Sequence, residues 1–164
     1  MSPTSTDVVD LILRDHRRME ELFRRMRSVD ADRGAALKEL SALLVAHAEA
    51  EEQKVYPALR RYKKVDDDEV EHGVEEHEEG NEALLALLEV GEIGSAEWDE
   101  KLEELVTAVN HHLDEEERTL LNDAREQVAD DRRAQLGEAF AAAREEQLAA
   151  DCGRVENVRK IVSS

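Results

Sequence analysis

Four histidines and two glutamates recur in this chain at spacings that suit metal binding. His47 is followed four residues later by Glu51 in "HAEAE", and His112 by Glu116 in "HLDEE". Residues i and i+4 stand side by side on a helix, roughly 6 Å apart at Cβ. Each pair therefore offers an imidazole and a carboxylate to one place. A lone histidine precedes each pair on an earlier segment, His16 in "RDHRR" and His77 in "EEHEE". Imidazole and carboxylate without thiolate suit iron, manganese or zinc. If each histidine binds one ion and each carboxylate reaches across to a second, Glu51 and Glu116 can bridge two ions roughly 3.5–4 Å apart. His16 and His47 then complete one ion, and His77 and His112 the other.

The positions of these residues carry as much as their spacing. Leu37, Leu40 and Leu44 form an apolar stripe whose next members are His47 and Glu51; Leu102, Leu105 and Val109 lead in the same way to His112 and Glu116. A carboxylate buried without a partner costs on the order of several kcal/mol, and two facing each other would repel as well. Cations between them offset both penalties. A single histidine on a helix face is more often a hydrogen-bonded core residue, and HxxxE pairs arise freely in a glutamate-rich chain. The repetition of the whole set, in the same order, is what points to metal. His72 lies about 140° around the helix from His77, and His111 is off the Leu105–Val109 stripe, so both are expected at the surface. His111–Glu115 nevertheless has the same i, i+4 spacing and is the rival to His112–Glu116.

The elements that must position these residues are helices. Ala, Leu and Glu dominate, aromatics are 3%, and there are two prolines and seven glycines, a balance that favours helix over sheet. Helix one is expected after a Ser5 or Thr6 cap, with Asp7 and Asp10 at its positive end, and runs to about Ser28. Helix two starts near Arg33 and is disturbed at Pro57. The acidic run Asp66–Glu69 opens helix three, which Gly91 and Gly94 close. Ser95 caps helix four, with Leu102, Leu105, Val109, His112, Glu116 and Leu120 on one face. A further helix begins near Asp130, docking through Leu136 and Phe140. A shift of 112 − 47 = 65 positions lays helix two on helix four, and one of 77 − 16 = 61 lays helix one on helix three. Short connections join antiparallel neighbours. The expected architecture is one all-α domain over 1–164: an up-down-up-down four-helix bundle over about 7–127, with a C-terminal helical extension over about 130–162.

A net charge of −19 argues against nucleic acid, whose phosphates would be repelled, and against an anionic membrane surface. The single cysteine, Cys152, allows no disulfide within the chain, and neither a leader nor a membrane-spanning segment is expected. A cytoplasmic protein is expected, with Cys152 an inert thiol and Trp98 a core residue.

"RDHRRMEEL", "HAEAEEQKVYPAL", "EEHEEGNEALL" and "HLDEEERTLLNDA", in this order over roughly residues 7–127, resemble the hemerythrin-like family with its HHE cation-binding domain. The resemblance implies a non-haem centre of two iron ions, oxo- or hydroxo-bridged, with manganese or zinc as possible substitutes. It also favours His112 over His111. Oxygen-carrying members have a further histidine four residues before the helix-three ligand, and that position here is Gly73. The resemblance thus implies an open coordination position near Gly73, with Tyr56, His72 and His111 as possible additional ligands. By ordinary helical spacing Tyr56 sits half a turn off the stripe and Val55 holds the inward place. Fewer histidines suit binding or reducing H2O2, O2 or NO better than simple oxygen carriage, and a small diatomic or peroxide ligand is the expected partner. An iron- or oxygen-sensing adaptor without turnover is the alternative, and a metal-free structural bundle is a third.

Overall fold

A computed structural model describes residues 6–164 and shows an all-helical bundle with no strand among them. In chain order the helices are α1 (Val8–Met26), α2 (Arg33–Ala50), a π-helical turn (Glu51–Val55), α3 (Tyr56–Leu59), α4 (Asp67–Leu88), α5 (Ala96–Arg118), α6 (Leu120–Gln127), α7 (Asp130–Ala149) and α8 (Val155–Ser163). Side-chain carboxylates and hydroxyls set the starts: Asp7 accepts from the amide of Val9, Asp32 from Ala35, Asp66 from Asp68 and Ser95 from Trp98. The cap of α1 is thus Asp7 itself rather than Thr6; Ser5 lies outside the described residues.

Helix α1 pairs with α2, and α4 with α5. Asp15 meets His47 while Arg18 meets Glu39, so α1 and α2 run antiparallel. In α4 and α5, His72 meets Glu115 while Glu76 meets His112, with the same result. The apolar interior lies in two parts. One gathers Met19, Leu22, Met26, Leu40, Leu84, Trp98, Leu102 and Leu105; the other Val9, Ile12, Val55, Leu59, Val70, Leu120, Leu136 and Phe140. Between these two parts lies a layer of buried polar side chains.

Three local departures from ideal helix shape that layer. The backbone amide of Tyr56 bonds to the carbonyl of Glu51, an i→i+5 bond that closes a π turn. Pro57 follows directly and cannot donate a backbone bond of its own. Helix four breaks at Thr119 (φ −109°, ψ −83°), so Leu120 belongs to α6 and not to the continuous stripe expected for it. The carboxy-terminal segment is likewise two helices. α7 packs on α1 and α2 and α8 on α4, with a turn between them that contains Asp151 at φ 55°. Gly153 makes this return possible, because a Cβ there would stand 2.4 Å from the Ala42 nitrogen. Cys152 is buried beside it, its thiol donating to the Ala42 carbonyl, and burial pushes its pKa up. Trp98 is wholly buried.

Candidate metal centre

The buried polar layer consists of His16, His47, Glu51, His77, His112 and Glu116, with relative exposures between 0 and 6%. They come from four helical segments: α1, α2 with its π turn, α4 and α5. The two carboxylates sit between imidazoles. Glu51 Oε1 lies 3.2 Å from His47 Nε2 and 3.1 Å from His77 Nε2. Glu116 lies 3.1 Å from His16 Nε2 through Oε1 and 3.5 Å from His112 Nε2 through Oε2. The rings pair as His16 with His47, at 5.2 Å between centroids, and His77 with His112, at 4.6 Å. Two overlapping groups of atoms are close enough to hold cations: Glu51, His77, His112 and Glu116, and His16, His47 and Glu116.

The donor set fits metal ions on an observation independent of the count. His16 Nε2, His47 Nε2, His112 Nε2, both oxygens of Glu51 and Glu116 Oε1 are buried without a hydrogen-bond partner. Buried polar atoms are nearly always satisfied, and here the orphans converge on one place. Ligands held at 2.0–2.1 Å around a tetrahedral ion stand about 3.3–3.4 Å from one another. The Nε2-to-carboxylate distances of 3.1–3.5 Å are of that size.

An outer ring of carboxylates orients the imidazoles. His16 Nδ1 donates to Glu117 at 2.9 Å, His47 Nδ1 to Asp15 at 2.8 Å, His77 Nδ1 to Glu52 at 2.7 Å and His112 Nδ1 to Glu76 at 3.0 Å. A donating Nδ1 leaves the Nε2 lone pair turned inward, the tautomer a metal needs. None of these four acids stands out in the sequence as a site residue, since each resembles a solvated helix position. Each is nevertheless the chain neighbour of an inner residue: Asp15 of His16, Glu52 of Glu51, Glu76 of His77 and Glu117 of Glu116. The two-fold repeat relates them as well, Asp15–His47 to Glu76–His112 and Glu52–His77 to Glu117–His16.

Tyr56 corrects the reading from ideal spacing. It is buried, its hydroxyl donates to Glu116 Oε2, and the oxygen lies 3.5 Å from His77 Nε2. Nine residues beyond His47 it would stand about 180° away at roughly 100° per residue. The π turn absorbs one residue, which brings that angle down to about 80°. Val55 is buried too, in the same apolar cluster as the Tyr56 ring. Gly73 makes room for the phenol, because a Cβ there would stand 3.1 Å from the Tyr56 hydroxyl oxygen. His72 and His111 do not join this layer. Their side chains are 54% and 61% exposed and meet Glu76 and Glu115 outside it.

Without a cation, the surrounding carboxylates raise the pKa values of the four imidazoles against the opposing effect of burial. Burial opposes the charge on His47, yet Glu51 and Asp15 push its pKa well above the ordinary value. His16 and His77 are raised against the same opposition, and His112 is raised to about 10, with Glu116 the main cause. Burial works against the Glu116 carboxylate too, but His112 and His16 hold it well below its usual range. Burial and the Glu116 and Glu51 charges push the Tyr56 phenol up, which keeps it a proton donor. A cation bound here would compete with protons for the same ring nitrogens.

No curated protein matches the chain, and no solved structure does. The family model of the hemerythrin HHE cation binding domain matches residues 7–124. That span contains the four histidines, both buried glutamates and every member of the outer carboxylate ring. With the match covering most of its length, the chain belongs to the hemerythrin family of HHE cation-binding domains.

Proposed function

We propose that this is a non-haem di-iron protein that binds or reduces a small oxidant, H2O2, O2 or NO, as part of an oxidative or nitrosative stress response. One observation carries the reading: two fully buried glutamates each lie between two imidazoles, and three of their four carboxylate oxygens, both of Glu51 and Oε1 of Glu116, have no protein donor. His16 and His47 would hold one ion and His77 and His112 the other, with Glu51 and Glu116 shared by both. The iron pair would supply the electrons and a coordination position for the oxidant. The rest of the chemistry belongs to the chain. The outer carboxylates fix the imidazoles, the two apolar clusters flank the site, and the Tyr56 hydroxyl donates a hydrogen bond to Glu116 Oε2. At the Gly73 position, where oxygen-carrying relatives have another histidine, the Tyr56 hydroxyl is the nearest candidate ligand. We read the four long helices as running up, down, up and down, and the cytoplasm as the place of action.

The test is the iron content and near-ultraviolet to visible spectrum of protein produced with ample iron, beside a Glu51→Ala/Glu116→Ala variant. Two irons per chain with a charge-transfer band, both lost in the variant, support the di-iron reading. Decay of peroxide, oxygen or nitric oxide over the loaded protein then identifies the oxidant. A folded protein that takes up no iron would end the reading.

A further inference from the structure

The repeat that relates the two halves leaves one charge unmatched. In the first half, Asp15 receives His47 Nδ1, and Arg144 of α7 grips both its oxygens, Nε to Oδ2 and the terminal nitrogen to Oδ1, each at 3.0 Å. Glu76 is the counterpart of Asp15, 76 − 15 = 61 positions later. It receives His112 Nδ1 on Oε1. Glu76 is only 6% exposed, and its Oε2 has no hydrogen-bond partner among the described residues. The equivalents of Leu11, Ala46 and Ala50 beside Asp15 are His72, His111 and Glu115 beside Glu76. Where the first half has an apolar wall and an arginine, the second has two imidazoles and a further carboxylate.

These groups converge on Glu76 Oε2. His111 Nε2 lies 3.2 Å from it and His72 Nε2 3.4 Å. Glu115 closes the other side, with Oε2 2.9 Å from His72 Nε2 and Oε1 3.3 Å from His111 Nε2. One ligand atom from each of the four residues falls within 4.8 Å of all the others. Protonated imidazoles would balance the charge, but neither ring makes a hydrogen bond to the buried oxygen. A cation would satisfy it. Ligand atoms 2.0–2.1 Å from a tetrahedral ion stand about 3.3–3.4 Å apart, close to the separations here.

We propose that His72, Glu76, His111 and Glu115 form an outer mononuclear site for a divalent first-row cation of the zinc class. It takes the place that Arg144 fills in the other half. A cavity of about 400 Å³ joins it to the interior, lined by His72, Glu76 and Glu115 together with His112 and Glu116. Glu76 is common to both sites, one oxygen orienting His112 and the other facing the outer ion. Nothing in the proposal depends on which metal the inner centre holds.

Zinc added to the iron-loaded protein tests this, with bound zinc and iron measured after desalting. The comparison is a His72→Ala/His111→Ala variant, whose altered side chains are half exposed and outside the core. The expected result is one further zinc per chain in the unmodified protein than in the variant, with equal iron in both. Equal zinc in the two proteins would overturn the site. A Glu51→Ala/Glu116→Ala variant separates this proposal from the di-iron reading. The zinc that depends on His72 and His111 should persist there, and its disappearance would overturn the outer site. Absence of iron from the unmodified protein would bear on the inner centre alone.

Discussion

The Tyr56 hydroxyl packs against Gly73, only 3.1 Å from the position of a Cβ built there. Two helices thus share one place beside Glu116 and His77, and one fills it because the other leaves it free. If the phenol reaches ferric iron, Tyr56→Phe removes a visible phenolate charge-transfer band and leaves the iron content unchanged. Gly73→Ala crowds the ring and shifts the same band. Absorption spectra of the three iron-loaded proteins check this, and identical spectra would assign Tyr56 to hydrogen bonding alone.

Cations should stabilise the fold through the inner carboxylates. A ligand bound only by the folded state adds about 2.7 kcal/mol when present at 100 times its Kd. Ferrous iron added under anaerobic conditions is expected to raise the Tm of the unmodified protein and to leave Glu116→Ala unmoved. In the metal-free state, Glu116→Ala removes the partner of His16 and His112. Thermal melts with and without metal separate the two effects.

The stability of the metal-free protein should pass through a maximum on the pH scale. Raised histidine pKa values give stability that is complete below about 6.5, the unfolded value, and lost as pH rises through the folded ones, about 10 for His112. The depressed Glu116 gives stability present above its ordinary value of 4.5 and lost as pH falls through its folded pKa. Denaturant unfolding should therefore show greatest stability near pH 5–6 and a decline toward pH 10. Metal uptake at pH 7 should release protons, which an indicator dye in weak buffer would register.

Arg144→Ala should cost about 2 kcal/mol, because it strips two charge-assisted hydrogen bonds from the buried Asp15 carboxylate. Exposed Arg118, paired with Asp114 on its own helix, is the control, and its replacement by Ala should cost less than about 1 kcal/mol. Urea titrations of both variants give the comparison.

Much of the inner layer could be read from residue type and period. The apolar stripes of α2 and α5 lead to His47–Glu51 and His112–Glu116, and the 61- and 65-residue shifts pair His16 with His77 and His47 with His112. Tyr56 could not be reached that way. Extrapolation at 3.6 residues per turn assumes an unbroken α-helix, and the π turn at Glu51–Val55 changes the phase just before it. Asp15, Glu52, Glu76 and Glu117 were hidden for another reason. In a chain with 41 acidic residues, an acid next to a ligand looks like any solvated position until the facing helix is known. The break at Thr119 carries no proline or glycine, and before the separate helix Val155–Ser163 only Gly153 punctuates the sequence.

Phe140 meets the His47 ring at 5.4 Å between centroids, and α7 lies across α1 and α2 on that side. The cavity that reaches His112 and Glu116 opens on the opposite side, between α4 and α5. A bundle repeated from two similar halves has therefore acquired a front and a back. An incoming molecule using that route meets His112 and Glu116 first. If the proposed centre is loaded, its two ions, despite matching ligands, would stand in unequal surroundings.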